Sequence, residues 1–130
     1  MPCADACLYQ DCDTDSNEFY VEATVRKSRK PHRCCECRDT IPAGEGYQRA
    51  TAKSDGVVWS RVTCLLCVQI RKAFCCDGWV FGALREDMCA QLFPAWAISG
   101  PWDCLAKIET REARDKVARW FEAWRDGVAA

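Results

Sequence analysis

The chain has 130 residues, which suits one domain and leaves little room for two independent ones. Apolar residues make up 49% and charged residues 28%, which argues against intrinsic disorder, and a net charge of −1 argues against a generic polyanion binder. Twelve cysteines beside a single histidine, His32, call for disulfide or metal cross-links and rule out histidine-rich catalytic zinc sites.

Residues 1–22 carry Asp5, Asp11, Asp13, Asp15, Glu18 and Glu22 with no Lys or Arg, the opposite of a secretory signal. No stretch reaches the roughly 18 apolar residues of a membrane span. The chain is therefore expected in a reducing cytoplasm, with no membrane partner, where thiols bind metal in preference to each other. Residues 1–25 read as an acidic N-terminal arm containing Cys3, Cys7 and Cys12. Within it, 19–25 alternates as a short strand with Phe19, Val21, Ala23 and Val25 on one side.

Residues 26–94 read as the core. It opens on a basic segment, Arg26, Lys27, Arg29, Lys30 and Arg33, broken by Pro31 and leading into Cys34-Cys35-Glu36-Cys37. The stretch 41–62 predicts a hairpin, with strands over 47–52 and 57–62 joined by Ser54-Asp55-Gly56. Thr63 is expected to cap a helix from 64 to about 74. A second helix from about 81 places Phe81, Leu84, Met88 and Leu92 on one stripe and is expected to stop before Pro94.

Residues 95–130 read as a helical segment packed on that core, giving a single α+β domain. After the Ser99-Gly100-Pro101 break, 102–108 suggests a helical turn or two. A longer helix starts near Thr110, with Ala113, Val117, Trp120, Phe121 and Trp124 at helical spacing and Gly127 as its stop. Its Val117, Phe121 and Trp124 are expected to dock on the 81–92 stripe. Trp120, to one side, is the expected exposed partner-binding residue.

Cys34-x-x-Cys37 and Cys64-x-x-Cys67, 26 residues apart, are the strongest signal. Two such pairs place four thiolates tetrahedrally around Zn²⁺ at about 2.3 Å. The first pair sits in a loop followed by Pro and Gly turns; the second sits at a helix start, where free N–H groups stabilise thiolate charge. Knuckle, hairpin and helix start in that order predict a treble-clef-like arrangement. Cys35 competes with Cys34 but lacks the spacing, and His32 is expected as a plain exposed residue. The remaining Cys3, Cys7, Cys12, Cys75, Cys76, Cys89 and Cys104 either supply a second zinc or, as for Cys89 and Cys104, serve as small buried apolar residues.

The run Arg29-Lys30-Pro31-His32-Arg33-Cys34-Cys35-Glu36-Cys37, then Ile41-Pro42-Ala43-Gly44-Glu45 and Thr63-Cys64-Leu65-Leu66-Cys67, resembles a family of small cysteine-rich phage and prophage proteins. The likeness continues through Phe74-Cys75-Cys76-Asp77-Gly78-Trp79-Val80-Phe81-Gly82 and reappears in Ala113-Arg114-Asp115-Lys116-Val117. It implies phage origin, action in the host cytoplasm and zinc, with no activity attached. One departure is Arg38, which stands where such knuckles usually carry Gly.

Three function classes compete. An enzyme is disfavoured: the lone histidine precedes the knuckle, and there is no phosphate loop, nucleophile elbow or His-Glu-x-x-His run. Nucleic-acid binding is the alternative, through Arg26, Lys27, Arg29, Lys30 and Arg33 with Trp59 or Tyr47 for stacking; the acidic arm can neutralise that cluster. Six tryptophans favour the third, a non-enzymatic zinc-stabilised binding module. The phage resemblance implies a host protein complex as its target, with CRISPR or other host defence as one such case. No small-molecule substrate is evident.

Overall fold

The computed structural model describes residues 17–75, 80–99 and 105–127. Strands come first and helices last. The strands are β1 (Asn17–Val25), β2 (His32–Arg33), β3 (Thr40–Ile41), β4 (Tyr47–Ser54) and β5 (Val57–Cys64). The described helices are α1 (Leu65–Phe74), α2 (Leu84–Gln91), α3 (Phe93–Ser99) and α4 (Arg111–Arg125). The expected turns over 102–108 start outside the described residues, as do Cys3, Cys7, Cys12, Cys76, Trp79, Trp102 and Cys104.

β1, β4 and β5 form an antiparallel sheet in that order, and β2 and β3 form a small separate ribbon. The β4–β5 hairpin turns at Asp55 and Gly56, both in the left-handed region with φ of 52° and 79°. Two consecutive positive φ values match the right-handed twist of the flanking strands, and Asp-Gly tolerates them. The last nine residues of the expected N-terminal arm are an integral edge strand, with Val25 opposite Tyr47 and Phe19 opposite Lys53.

The register gives the sheet two unlike faces. One carries Tyr20, Ala50, Ala52 and Trp59; Phe81 covers it, its ring centroid 6.4 Å from that of Tyr20 and 5.7 Å from that of Trp59. The other carries Phe19, Val21, Arg49, Lys53 and Val58 toward the hairpin end, where the apolar side chains stay exposed, while Val25, Tyr47 and Val62 at its other end pack into the core. Residues 19–25 thus alternate as expected, but the side holding Phe19 and Val21 faces outward.

The helical half departs from expectation in four places, each through a neighbour that periodicity does not reveal. The cap of α1 is Cys64, whose sulfur accepts from the Cys67 N–H, while Thr63 is fully buried. Helix α2 begins at Leu84, three residues later than expected, because Phe81 is in the preceding turn and packs on the sheet. Helix α2 ends at Gln91, before Pro94 as expected, but Pro94 lies in the first turn of a further helix, α3, where its missing N–H costs little. Trp120 is only 6% exposed, and Arg85 of α2 sets its guanidinium 5.2 Å above the ring, so it is a core residue and not an exposed contact.

Helix α4 starts at Thr110, whose hydroxyl accepts from Ala113 N at 3.3 Å and donates to Gln69 of α1 at 2.7 Å. It ends before Gly127, at φ 78°. It lies mainly along α1 and also touches α2 and α3, a broader seat than the expected 81–92 stripe. Phe121 and Trp124 meet Phe93 of α3 at ring-centroid distances of 5.5 and 5.9 Å, and Phe121 also meets Trp96 at 5.7 Å. Phe93→Ala should therefore cost about 3–5 kcal/mol in urea unfolding, whereas Val21→Ala on the exposed edge should stay within about 0.5 kcal/mol.

Candidate metal centre

The first two ligands come from a loop folded on itself. Cys34 N donates to Asp39 O and Arg38 N donates to Cys34 O, each at 3.0 Å, closing a tight turn over Cys34-Cys35-Glu36-Cys37. That closure places Arg38 at φ 67°, the left-handed conformation expected to be awkward for a residue with a Cβ. Cys35 N reaches across to Val62 O at 2.8 Å and fixes the loop to β5. β5 then delivers Cys64 as the cap of α1, and Cys67 follows within the first turn.

The four sulfurs of Cys34, Cys37, Cys64 and Cys67 lie within 4.8 Å of one another. Cys37 and Cys64 are 3.9 Å apart, close to the roughly 3.8 Å edge of a tetrahedron with 2.3 Å metal–sulfur bonds. Backbone N–H groups already point at the sulfurs: Glu36 and Cys64 donate to Cys34 Sγ at 3.4 and 3.3 Å, and Cys67 donates to Cys64 Sγ at 3.5 Å. Such donors stabilise thiolate over thiol. The donor set and spacing fit a metal ion, and all four residues expected as ligands converge.

Four thiols this close cannot ionise independently. Hydrogen bonds from Cys37, Cys64 and Cys67 push the Cys34 thiol far below its ordinary range. Bonds to Cys34 and Cys37 push Cys64 and Cys67 far above theirs. At Cys37 the bond to Cys34 raises the value, but Cys64 and Cys67 outweigh it and bring it to about 6. Charge on Cys34 and Cys37 thus holds Cys64 and Cys67 in the thiol form, and a bound cation would be needed to ionise all four together.

The other described cysteines stand apart. Cys35 lies 3.4 Å from Thr63 Oγ1, and burial raises its thiol, so the adjacent pair is resolved in favour of Cys34. Burial pushes Cys75 up to about 12 and also raises half-buried Cys89. Among the described residues neither joins a second metal cluster. His32 is half-buried and not plainly exposed, its ring centroid 4.7 Å from that of Tyr47. Tyr47 is itself buried, which removes it as a stacking platform.

Arg26, Lys27, Arg29, Lys30 and Arg33 are all exposed. The loop carrying four of them is anchored by buried Ser28, whose N–H donates to Glu45 O at 2.9 Å and hydroxyl to Pro42 O at 3.0 Å. The cations therefore flank a fixed point and face solvent.

Sequence reasoning missed a buried ion pair behind the centre. Arg71 Nη1 lies 2.9 Å from Glu36 Oε2, and both side chains are essentially inaccessible. Gln48 accepts from Arg71 Nη2 at 2.7 Å, while Gly82 and Leu84 N–H groups donate to Glu36 Oε1 at 3.0 and 3.2 Å. Burial raises the Glu36 carboxyl, opposed by the Leu84 N–H and by Arg71. The signal was present: Glu36 sits between two ligands, and Arg71 follows Cys67 by one helical turn.

No family model, curated protein or solved structure matches this chain. Among the described residues, no helix is long and apolar enough to cross a membrane. Glu36→Gln leaves the Arg71 charge buried without its counter-ion and should cost about 3–5 kcal/mol, read as a lower urea midpoint at neutral pH.

Proposed function

We propose that this chain is a zinc-stapled, non-enzymatic binding module of treble-clef type, which acts by docking on a host protein. The observation that carries the zinc reading is the convergence of four cysteine sulfurs from a knuckle and a helix start. Four thiolates fill a tetrahedral ion's coordination sphere, leaving no position for water or substrate, so the ion would serve as a staple. Structural zinc contributes about 10–16 kcal/mol of apparent binding free energy in small peptides, comparable with the 5–15 kcal/mol stability of a whole domain.

The docking reading rests on the open sheet face. Phe19, Val21 and Val58 are 43%, 57% and 60% exposed, beside Arg49 and Lys53. No carboxylate falls on that face among the described residues. Phe19 and the two β-branched side chains offer apolar area to bury beside two cations, so the complementary partner is a protein surface both apolar and acidic. The resemblance to phage proteins points to a host complex, defence machinery included. The second reading, nucleic acid, is favoured by the exposure of Arg26, Lys27, Arg29, Lys30 and Arg33.

Elemental analysis should give one zinc per chain on these four ligands, and Cys64→Ser should lose both the metal and the cooperative melt. A folded Cys64→Ser protein with full zinc, or iron in place of zinc, would overturn the assignment. For docking, a host protein retained after nuclease treatment should be lost with Val21→Asp plus Val58→Asp and kept with charge reversal at Lys27, Arg29 and Lys30. The opposite pattern, with steep salt dependence, would establish nucleic acid as the partner.

A further inference from the structure

Lys116 interrupts the apolar stripe of α4. Ala113, Val117 and Trp120 share its face, and all four residues are buried. An ammonium placed among them is costly unless opposite charge meets it. Its visible partner is Asp39, at 3.1 Å, but that carboxylate is 72% exposed and well screened by water. A pair of that kind does little to offset the burial of a lysine.

The groove of about 500 Å³ that Lys116 lines also holds Cys64 of the sulfur cluster, beside the carboxylates Asp39, Glu45 and Glu112. Asp39 lies two residues beyond Cys37, so the amine enters at the rim of the thiol cluster. Burial works against the ammonium, while thiolate charge developed at Cys64 and Cys67, and the bond to Asp39, work for it and hold Lys116 above the ordinary lysine range. Arg71, also buried, is committed to Glu36, and Arg38 points to solvent.

We propose that Lys116 is the countercharge of the metal–thiolate centre, a positioning residue that links metal affinity to the docking of α4. The proposal rests on the zinc reading. A divalent ion neutralises only half of the charge on four thiolates, and the N–H groups of Glu36, Cys64 and Cys67 supply dipoles but no charge. Lys116 supplies that charge from the helix farthest along the chain. Linkage is reciprocal: what the ammonium contributes to holding the metal, the metal contributes to holding α4.

The test is competition between zinc-loaded protein and a colorimetric chelator, with helix content followed by circular dichroism. Wild-type protein should bind one zinc per chain; failure there would refute the zinc reading before Lys116 is reached. Lys116→Met should release zinc about 10–100-fold more readily, while Lys116→Arg should retain wild-type affinity. Asp39→Asn separates the two roles of the amine. Under the proposal it stays within about fivefold of wild type, the reach of an exposed ion pair. A match between Asp39→Asn and Lys116→Met would show that Lys116 serves only Asp39, and a Lys116→Met affinity equal to wild type would also overturn the proposal. If Lys116→Met does not fold in saturating zinc, the other two variants decide: retention in both supports the countercharge, and loss in either refutes it.

Discussion

Four cysteine sulfurs within 4.8 Å of one another are the constraint around which the rest of this molecule is arranged. They come from a loop and a helix start 26 residues apart, so the intervening chain must go out and return to one point. The hairpin does this by register: with Tyr47 opposite Cys64, β5 ends where β4 began, beside the knuckle. The bond from Cys35 N to Val62 O then locks the knuckle to the returning strand. A one-residue slip would turn Cys64 to the opposite face of the sheet.

The knuckle serves two interiors at once. Cys34 and Cys37 face the sulfur cluster, while Glu36 between them faces Arg71 and the backbone N–H groups of Gly82 and Leu84. The same four residues thus gather β5, α1 and the turn before α2. Arg71 extends the contact to the sheet through Gln48 and to Phe81, whose ring centroid lies 4.9 Å from its guanidinium. A buried ion pair contributes little net stability, but its loss from one side is costly. It favours a single arrangement of these segments over near alternatives.

What the sequence revealed and what it hid divide along local and tertiary lines. Cysteine spacing, the Asp55-Gly56 turn, the Thr110 cap and the Gly127 stop depend on a few neighbouring residues, and each is where the pattern put it. Burial depends on what lies across the fold. Trp120 sits to the side of the stripe defined by Val117, Phe121 and Trp124, yet α2 covers it, whereas Phe121 and Trp124 are only half-buried. Phe81 fits the spacing of α2 but belongs to the sheet. The Glu36–Arg71 pair spans 35 residues, and only the place of each residue beside a cysteine pair hinted at it.

The two faces of the sheet carry the last step. The covered face is closed at its centre, where Ala50 and Ala52 are fully buried and Phe81 packs against Tyr20 and Trp59. The open face carries the opposite assignment, with Phe19, Val21 and Val58 held out to water beside Arg49 and Lys53. Exposed apolar groups on a sheet add nothing to the described fold through burial, at roughly 25 cal/mol per Å² only for area actually removed from water. β-branched residues do favour extended backbone, which accounts for Val21 and Val58 in part. It does not account for the absence of any carboxylate among the described residues of that face, in a chain with more acidic than basic side chains. Sheet propensity chooses shape and says nothing about sign; a one-signed, half-apolar surface is what the proposed docking would use.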